Sequence, residues 1–459
     1  MELEKTSKTQ KRASFRIDDT FYRDMFKLSL PIILQNTIQS SLYFVDMVIV
    51  GGLGTAAIAG IGLANQYLFI LQILLFGITS GTSVFTAQYF GRGDFGGIRK
   101  ITSLCLALSL TGVSLLALPA LMAPGMVLGI YTTDLQVIDG ARVYLGIGAL
   151  SFFFVELTLT YTSVLRTMGK LVAPTMISLG AAALNTLLGY CLVYGSFGFP
   201  KMGLEGAAVG ILVSRMLEWM GIRYYVKWQH GNLAFDLGQL QKLRGNELKQ
   251  YFSVSGPVIG AELLWVCGLS AYVAAYGIVG TEALASKNIM NTVESLTWVL
   301  IIGLGNACAI MIGNTLGRGE LEKAREHGAR FIRLALVLSV LIGILVFAAA
   351  PALVRLFDVS GSIRRDAVLN LSVMCIFLPT RVMNYILLNG LLRSGGDTKY
   401  TMGADLFAIW LTGVPLAFLA ASVWHFPIFL VYAMASMEEI VKLLLAVPRV
   451  KSGKWLRRV

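Results

Sequence analysis

Twelve blocks of predominantly apolar residues, each about 20 to 30 residues long, divide this chain. A helix of that length crosses the hydrocarbon core of a bilayer and satisfies its own backbone hydrogen bonds there. A soluble core helix would instead show an apolar stripe backed by a polar face. Composition agrees: of 459 residues, 56% are hydrophobic and 14% charged, with a mean hydropathy of +0.70. Soluble domains carry about a quarter charged residues, so this chain lacks the charge to cover a globular surface of its size. The expected spans are 28–50, 57–89, 101–122, 143–164, 172–194 and 207–225, then 252–276, 284–315, 331–350, 368–392, 401–423 and 426–447.

Charge between the blocks alternates. One set of loops holds Arg92, Arg99 and Lys100, then Arg166 and Lys170, then Arg223, Lys227, Lys242, Arg244 and Lys249. It continues with Arg318, Lys323, Arg325, Arg330 and Arg333, and with Arg393 and Lys399. The opposite loops hold little beyond Arg142, Lys201, Arg355, Arg364 and Arg365. Positive loops stay cytoplasmic, which places both termini inside a cell inner (plasma) membrane and requires an even number of spans. The net charge of +12 therefore reads as membrane topology and not as a nucleic-acid surface. The start of the chain has no short apolar stretch followed by a small-residue cleavage site, so no cleaved signal peptide is expected.

The chain repeats itself at a shift of 226 residues. Gly91-Arg92-Gly93-Asp94 returns as Gly317-Arg318-Gly319-Glu320, Pro31 falls on Pro257, Asn65 on Asn291 and Gly77 on Gly303. At a shift of 227, Arg166 falls on Arg393 and Gly169 on Gly396. Each half then has six spans, and an even number returns the chain to its starting side. The halves are expected as parallel repeats related by an axis along the membrane normal, with a substrate cleft between two lobes. The expected fold is an all-α integral membrane protein of twelve transmembrane helices, in two parallel six-helix repeats forming two lobes around a central cavity. Its parts are a cytoplasmic segment 1–27, an N-lobe 28–229, a linker 230–250, a C-lobe 251–447 and a basic tail 448–459.

Ionisable groups inside a membrane are costly and mark function by default. Asp46 in span one is the first candidate, able to carry a proton, bind sodium or pair with a cationic substrate. Glu262 in span seven is the second. Asn185 in span five is placed to help coordinate an ion. Glu156, Glu294, Arg381 and Asp405 are expected to line a cavity or to pair across helices, Asp405 alternatively capping its helix. Asn36, the repeat counterpart of Glu262, is expected to line the substrate cavity as well. Arg215 and Glu218, three apart on one helix face, read as a structural ion pair. The five cysteines are scattered within apolar blocks and the three histidines stand apart, so no metal or haem site is expected. No phosphate-binding loop, nucleophile elbow, zinc-protease motif or dinucleotide fingerprint occurs.

Leu30-Pro31, Val45-Asp46 and Gly51-Gly52-Leu53-Gly54 resemble the opening of a multidrug and toxic compound extrusion (MATE) transporter. The same holds for Gly91-Arg92-Gly93-Asp94, for Leu165-Arg166 with Gly169, for Gly203-Leu204-Glu205-Gly206-Ala207-Ala208, and for Leu392-Arg393-Ser394-Gly395-Gly396-Asp397-Thr398. The resemblance runs from about residue 26 to residue 447. It implies two lobes around a central cavity, monomeric in the bilayer. It also implies export of small organic cations and other amphipathic compounds in exchange for protons or sodium, with no other cofactor. The family's first-helix acid matches Asp46 and its fifth-helix asparagine matches Asn185. The aspartate that follows four residues later in archaeal-type members is Gly189 here. Glu262 lies near the acid that sodium-type members carry in helix seven. A lipid-linked oligosaccharide flippase is the alternative within the superfamily, and a membrane-embedded enzyme or receptor the alternative outside it.

Overall fold

The computed structural model describes residues 19–51, 55–132, 134–229, 238, 245–357 and 359–458. Among the described residues twelve long helices follow one another: α1 (Asp19–Gly51), α2 (Thr55–Arg92), α3 (Phe95–Met122), α4 (Leu135–Thr167), α5 (Val172–Tyr194) and α6 (Leu204–Gln229), then α7 (Gly245–Val279), α8 (Thr281–Arg318), α9 (Leu321–Val354), α10 (Gly361–Leu392), α11 (Thr398–Val423) and α12 (Ile428–Lys451). A short helix, Pro124–Gly129, joins α3 to α4. Among the described residues, nine of the twelve are long and apolar enough to cross a membrane. Helices α6 and α12 fall short because each carries a group of charges, Arg215, Glu218 and Arg223 in one and Glu438, Glu439 and Lys442 in the other.

The repeated motifs are helix punctuation. Gly93 and Gly319 take left-handed φ of 74° and 81°, which ends α2 and α8 where a side chain would be strained. Asp94 then caps α3, accepting the Gly97 amide at 2.8 Å. Gly169 and Gly396, both at φ 73°, follow α4 and α10 in the same way.

The halves join through α1 and α2 on one side and α7 and α8 on the other, and the seam obeys the repeat. A Cβ on Gly91 would lie 2.1 Å from the Asn314 carbonyl, and one on Gly317 would lie 2.1 Å from that of Gln88. A Cβ on Gly77 would meet Ile259, and one on Gly303 would meet Ile33. Every residue in these pairs is the 226-shifted counterpart of one in its mate. That exchange is the signature of two parallel repeats about a common axis, as the even span count requires.

The helices outrun the expected spans. Residues 19–27 of the expected N-terminal segment are the first turns of α1. Phe21 and Met25 are buried there in the second half's core, with Phe21 5.1 Å from Phe331. Most of the expected linker lies outside the described residues, and 245–250 already belongs to α7. The expected tail begins inside α12, and beyond it Trp455 is 2% exposed among the loops of the second half.

Candidate functional site

The richest polar site is the interior of the second half. Arg381 on α10 donates to Glu294 on α8 and stands 3.6 Å from Glu439 on α12. Lys287 lies two turns from Glu294 on α8, 3.9 Å from its carboxylate, and donates to Asn291 at 2.6 Å. Its ammonium sits over the Tyr432 ring at 4.4 Å. Asn384 donates to the Glu439 carboxylate at 2.8 Å and to its carbonyl at 2.7 Å. One residue along α12, Glu438 accepts the Tyr272 hydroxyl and the Lys442 ammonium, the latter at 3.2 Å. Lys442 reaches 4.0 Å from Asp405 on α11. The result is a file of alternating charges down the lobe, with four carboxylates against three cations. Such groups persist in a membrane only when paired, so the single surplus negative charge is the notable quantity.

Local irregularities in the helices make room for this file. Helix α10 winds as a π-helix over Tyr385–Leu392, and α11 does so at Ile409–Gly413 and Leu419–Val423. Such widened turns collect at functional sites. Gly413 is needed at one of them, because a Cβ there would lie 1.9 Å from the Tyr272 hydroxyl and 2.9 Å from Glu438.

The structure brings together three of the residues singled out in the sequence, Glu294, Arg381 and Asp405. The first two pair across helices. Asp405 does not cap α11: it lies two turns in, and the capping position belongs to Asp397. Glu262 faces Arg393, whose Nη1 donates to it and to Ser80 of the first half, both at 3.0 Å. The repeat counterpart of Arg393, Arg166, donates to Gln35 at 3.4 Å, beside the half-buried Asn36. Glu156, expected at a cavity wall, is fully buried inside the first half. One of its oxygens accepts from Thr160 at 2.6 Å, and the other has no hydrogen-bond partner among the described residues. Asn185 is half-buried on α5, and the side chain of Asp46 lies outside the described residues. Arg215 and Glu218 form the expected pair at 2.8 Å.

Sequence reading missed Lys287, Asn384, Glu438, Glu439 and Lys442. The signal was present: Glu438, Glu439 and Lys442 put three charges inside one apolar block.

Among the described residues, the polar seam between the halves gathers at one end. Its contacts are Arg393 to Ser80, Thr82 to Tyr251 at 2.8 Å, Gln88 to the Ser394 carbonyl at 2.8 Å, Lys100 to Glu247 at 3.2 Å and Asn314 to the Thr167 carbonyl at 3.3 Å. All lie in the half of the molecule that carries the basic loops. The stacked rings of Phe85 and Tyr251, 5.6 Å apart, lie there as well. Toward the other end, Leu269 and Val273 of α7 and Leu296 and Leu300 of α8 are exposed.

Two six-helix halves joined at one end, the second with a file of intramembrane charge in its interior, define a multi-pass membrane transporter architecture. The MatE family model matches residues 31–191 and 257–419, one segment in each half, and the chain belongs to that family. It is 28% identical over 448 residues to the "Probable multidrug resistance protein NorM" of Thermotoga maritima, covering 95% of this chain and 93% of that one. It is 23% identical to the "Uncharacterized transporter YisQ" of Bacillus subtilis, covering 96% of each. Among solved structures, the fold matches the Vibrio cholerae MATE transporter VcmN in the bent form, with a TM-score of 0.85 at 18% identity, covering 96% of this chain and 99% of that one. A MATE transporter in complex with MaL6 matches with a TM-score of 0.84 at 20% identity, covering 94% of this chain and 96% of that one.

Proposed function

We propose that this chain is a secondary-active multidrug exporter. It moves organic cations or other amphipathic compounds out of the cell, as a monomer in the plasma membrane, in exchange for inward-moving protons or sodium. The observation that carries the reading is the one-ended seam. Two lobes bound at a single end can rock about it, which alternating access requires. The positive-inside bias assigns the joined end to the cytoplasm. On that assignment the lobes are parted toward the outside, the state in which substrate leaves and the coupling ion enters.

Coupling rests on Asp46, assisted by Asn185, in the first lobe. The second lobe adds its surplus carboxylate among Glu294, Asp405, Glu438 and Glu439, a place where a proton or sodium ion restores charge balance. Competition follows: ion binding from outside favours release of the cationic substrate, and the loaded lobes then close outward and open inward. The relatives' names support transport over catalysis and multidrug export over lipid flipping.

The test is ethidium efflux from proteoliposomes under an imposed proton gradient or an imposed sodium gradient. Efflux that follows one gradient names the coupling ion, and Asp46→Asn should retain expression while losing that efflux. Undiminished efflux in Asp46→Asn would remove Asp46 from the mechanism. Failure of wild-type protein under both gradients, alongside translocation of a labelled lipid, would replace the exporter reading with a flippase.

A further inference from the structure

We propose that the groove between α7 and α11 holds an anionic phospholipid. Its phosphodiester headgroup sits in a basic pocket at the joined end and an acyl chain runs along the groove. The pocket is a cavity of about 640 Å³ formed where α7 begins, α11 begins and α12 ends. Lys399, Arg449, Arg457 and Arg458 line it, with Asp397 as the single carboxylate, a surplus of three positive charges. Two of the cations are fixed in place. Arg449 holds the buried Asp397 in a forked pair at 2.6 and 2.9 Å. Arg457 donates to the Gly395 and Gly396 carbonyls at 3.1 and 2.9 Å. Lys399 and Arg458 make no ion pair among the described residues, so their charge is available to a ligand. Basic pockets at this level of a membrane protein are suited to anionic headgroups.

A second cavity lies deeper on the same two helices. It measures about 590 Å³ and is lined only by Leu264 of α7 and Leu406, Phe407, Trp410 and Leu411 of α11. Helical periodicity sets the two cavities in line along one face of each helix, with Met402 packed against Gly260 between them. Ser253 in the pocket and Leu264 in the groove are eleven residues apart, which returns them to within about 20° on one face, some 16 Å along the axis. Lys399 and Tyr400 stand seven residues before Leu406 and Phe407, again on one face. The pocket also lies where both helices change character, from Glu247, Lys249 and Gln250 to Tyr251 and Phe252 on α7, and from Lys399 to Met402 on α11. That border is the depth of a headgroup. A free phosphate ion would use the cations and ignore the groove; a neutral lipid would use the groove and ignore the cations.

The test is titration of the purified full-length protein in detergent with short-chain phosphatidylglycerol, phosphatidylcholine or inorganic phosphate, read by intrinsic tryptophan fluorescence. Trp410 reports on the groove. Wild-type protein should saturate with phosphatidylglycerol at least fivefold more tightly than with phosphatidylcholine. Lys399→Gln with Arg458→Gln should abolish that preference. Phe407→Gln should weaken phosphatidylglycerol binding through the groove while leaving the headgroup cations in place. Lys170→Gln with Lys227→Gln, basic residues of the other lobe, should change nothing and so exclude general electrostatic attraction. The proposal is overturned if phosphatidylglycerol and phosphatidylcholine bind alike, or if either pocket or groove variant keeps wild-type affinity. It is also overturned if inorganic phosphate saturates the site and displaces the lipid at similar concentration, which would mark a small-anion site.

Discussion

The two halves share a scaffold and differ in what they keep inside it. The second half buries a file of seven charges from Lys287 to Asp405. The counterparts of Lys287 and Glu294 at the 226 shift are Ile61 and Leu68, and both belong to the apolar core of the first half. At the 227 shift, Arg381 and Asp405 fall on Phe154 and Ser178. Among its described residues the first half instead buries one i,i+3 pair, Arg215 with Glu218, and one carboxylate without a cation, Glu156, which accepts from a hydroxyl. Its α4 and α5 are regular, where the matching α10 and α11 widen into π turns. Duplication preserved what holds the lobes together, the capping glycines and the glycine seam, and left each interior free to specialise. A charged interior is rigid in composition, because each member needs its partners; an apolar interior tolerates change and can host a single titratable group.

The largest expected effect tests the pairing claim. Arg381→Met should leave Glu294 and Glu439 without their shared cation and destabilise the fold by about 3–5 kcal/mol, the usual consequence of breaking a buried pair from one side. Adding Glu294→Gln should recover part of that loss, because the orphaned charge is removed as well. Both are read from the thermal unfolding midpoint in detergent, with expression as a control. If Arg381→Met unfolds like wild type, the file is hydrated in solution and the contrast between the halves collapses.

How much of this was legible in the residues follows the same divide. The repeat, the twelve spans and the basic loops are patterns of composition, and local physics turns them directly into helices, ends and sides. Gly93 and Asp94 stood out in the sequence as part of a repeated motif, and the structure gives that motif its local meaning, a helix stop and a helix cap. The charged file is different. Glu294, Arg381 and Asp405 stood out singly, each alone in an apolar block, but their partners are distant in sequence and only the fold brings them together. Glu438, Glu439 and Lys442 escaped notice because a long run of leucine, valine and isoleucine carries the block's average past three charges. Lys287 lies close to the start of its block, where a charge stands out less beside the polar residues that precede the span. Glu262 was legible as an intramembrane acid. Its partner Arg393 was assigned to a loop, and a π turn at the end of α10 carries it inward.

The seam is where the halves should behave alike, and an intermediate effect tests it. Gly91→Leu and Gly317→Leu each force a side chain against a backbone carbonyl of the facing helix, so each should cost about 1–3 kcal/mol by overpacking. Both should spread the joined ends, which distance measurements between spin labels on α2 and α8 would register. Similar costs and similar spreading support the shared axis. A difference beyond about 1 kcal/mol between them, within the range that overpacking spans, would break the symmetry at the place where the sequence repeats best.

The smallest expected effect concerns Glu156, and it sharpens the comparison most. No cation faces this carboxylate among the described residues; it accepts from Thr160, one turn along the same helix, and Ser109 of α3 is its other hydroxyl neighbour. Glu156→Gln keeps an acceptor for that hydroxyl and breaks no ion pair. Its stability should therefore stay within about 1 kcal/mol of wild type, the scale of a single hydrogen bond. Thr160→Val should cost about the same, by taking the hydroxyl away from the buried acid. Chemical unfolding of both variants checks this, alongside efflux measured across pH. A Glu156→Gln variant that unfolds normally but loses the pH dependence of efflux would make this cation-free acid of the first lobe a proton carrier, acting with Asp46. A variant destabilised as severely as Arg381→Met would mean that Glu156 is charged and paired in the working protein. The first lobe would then hold a second ion pair beside Arg215–Glu218, and the two interiors would differ in degree and not in kind.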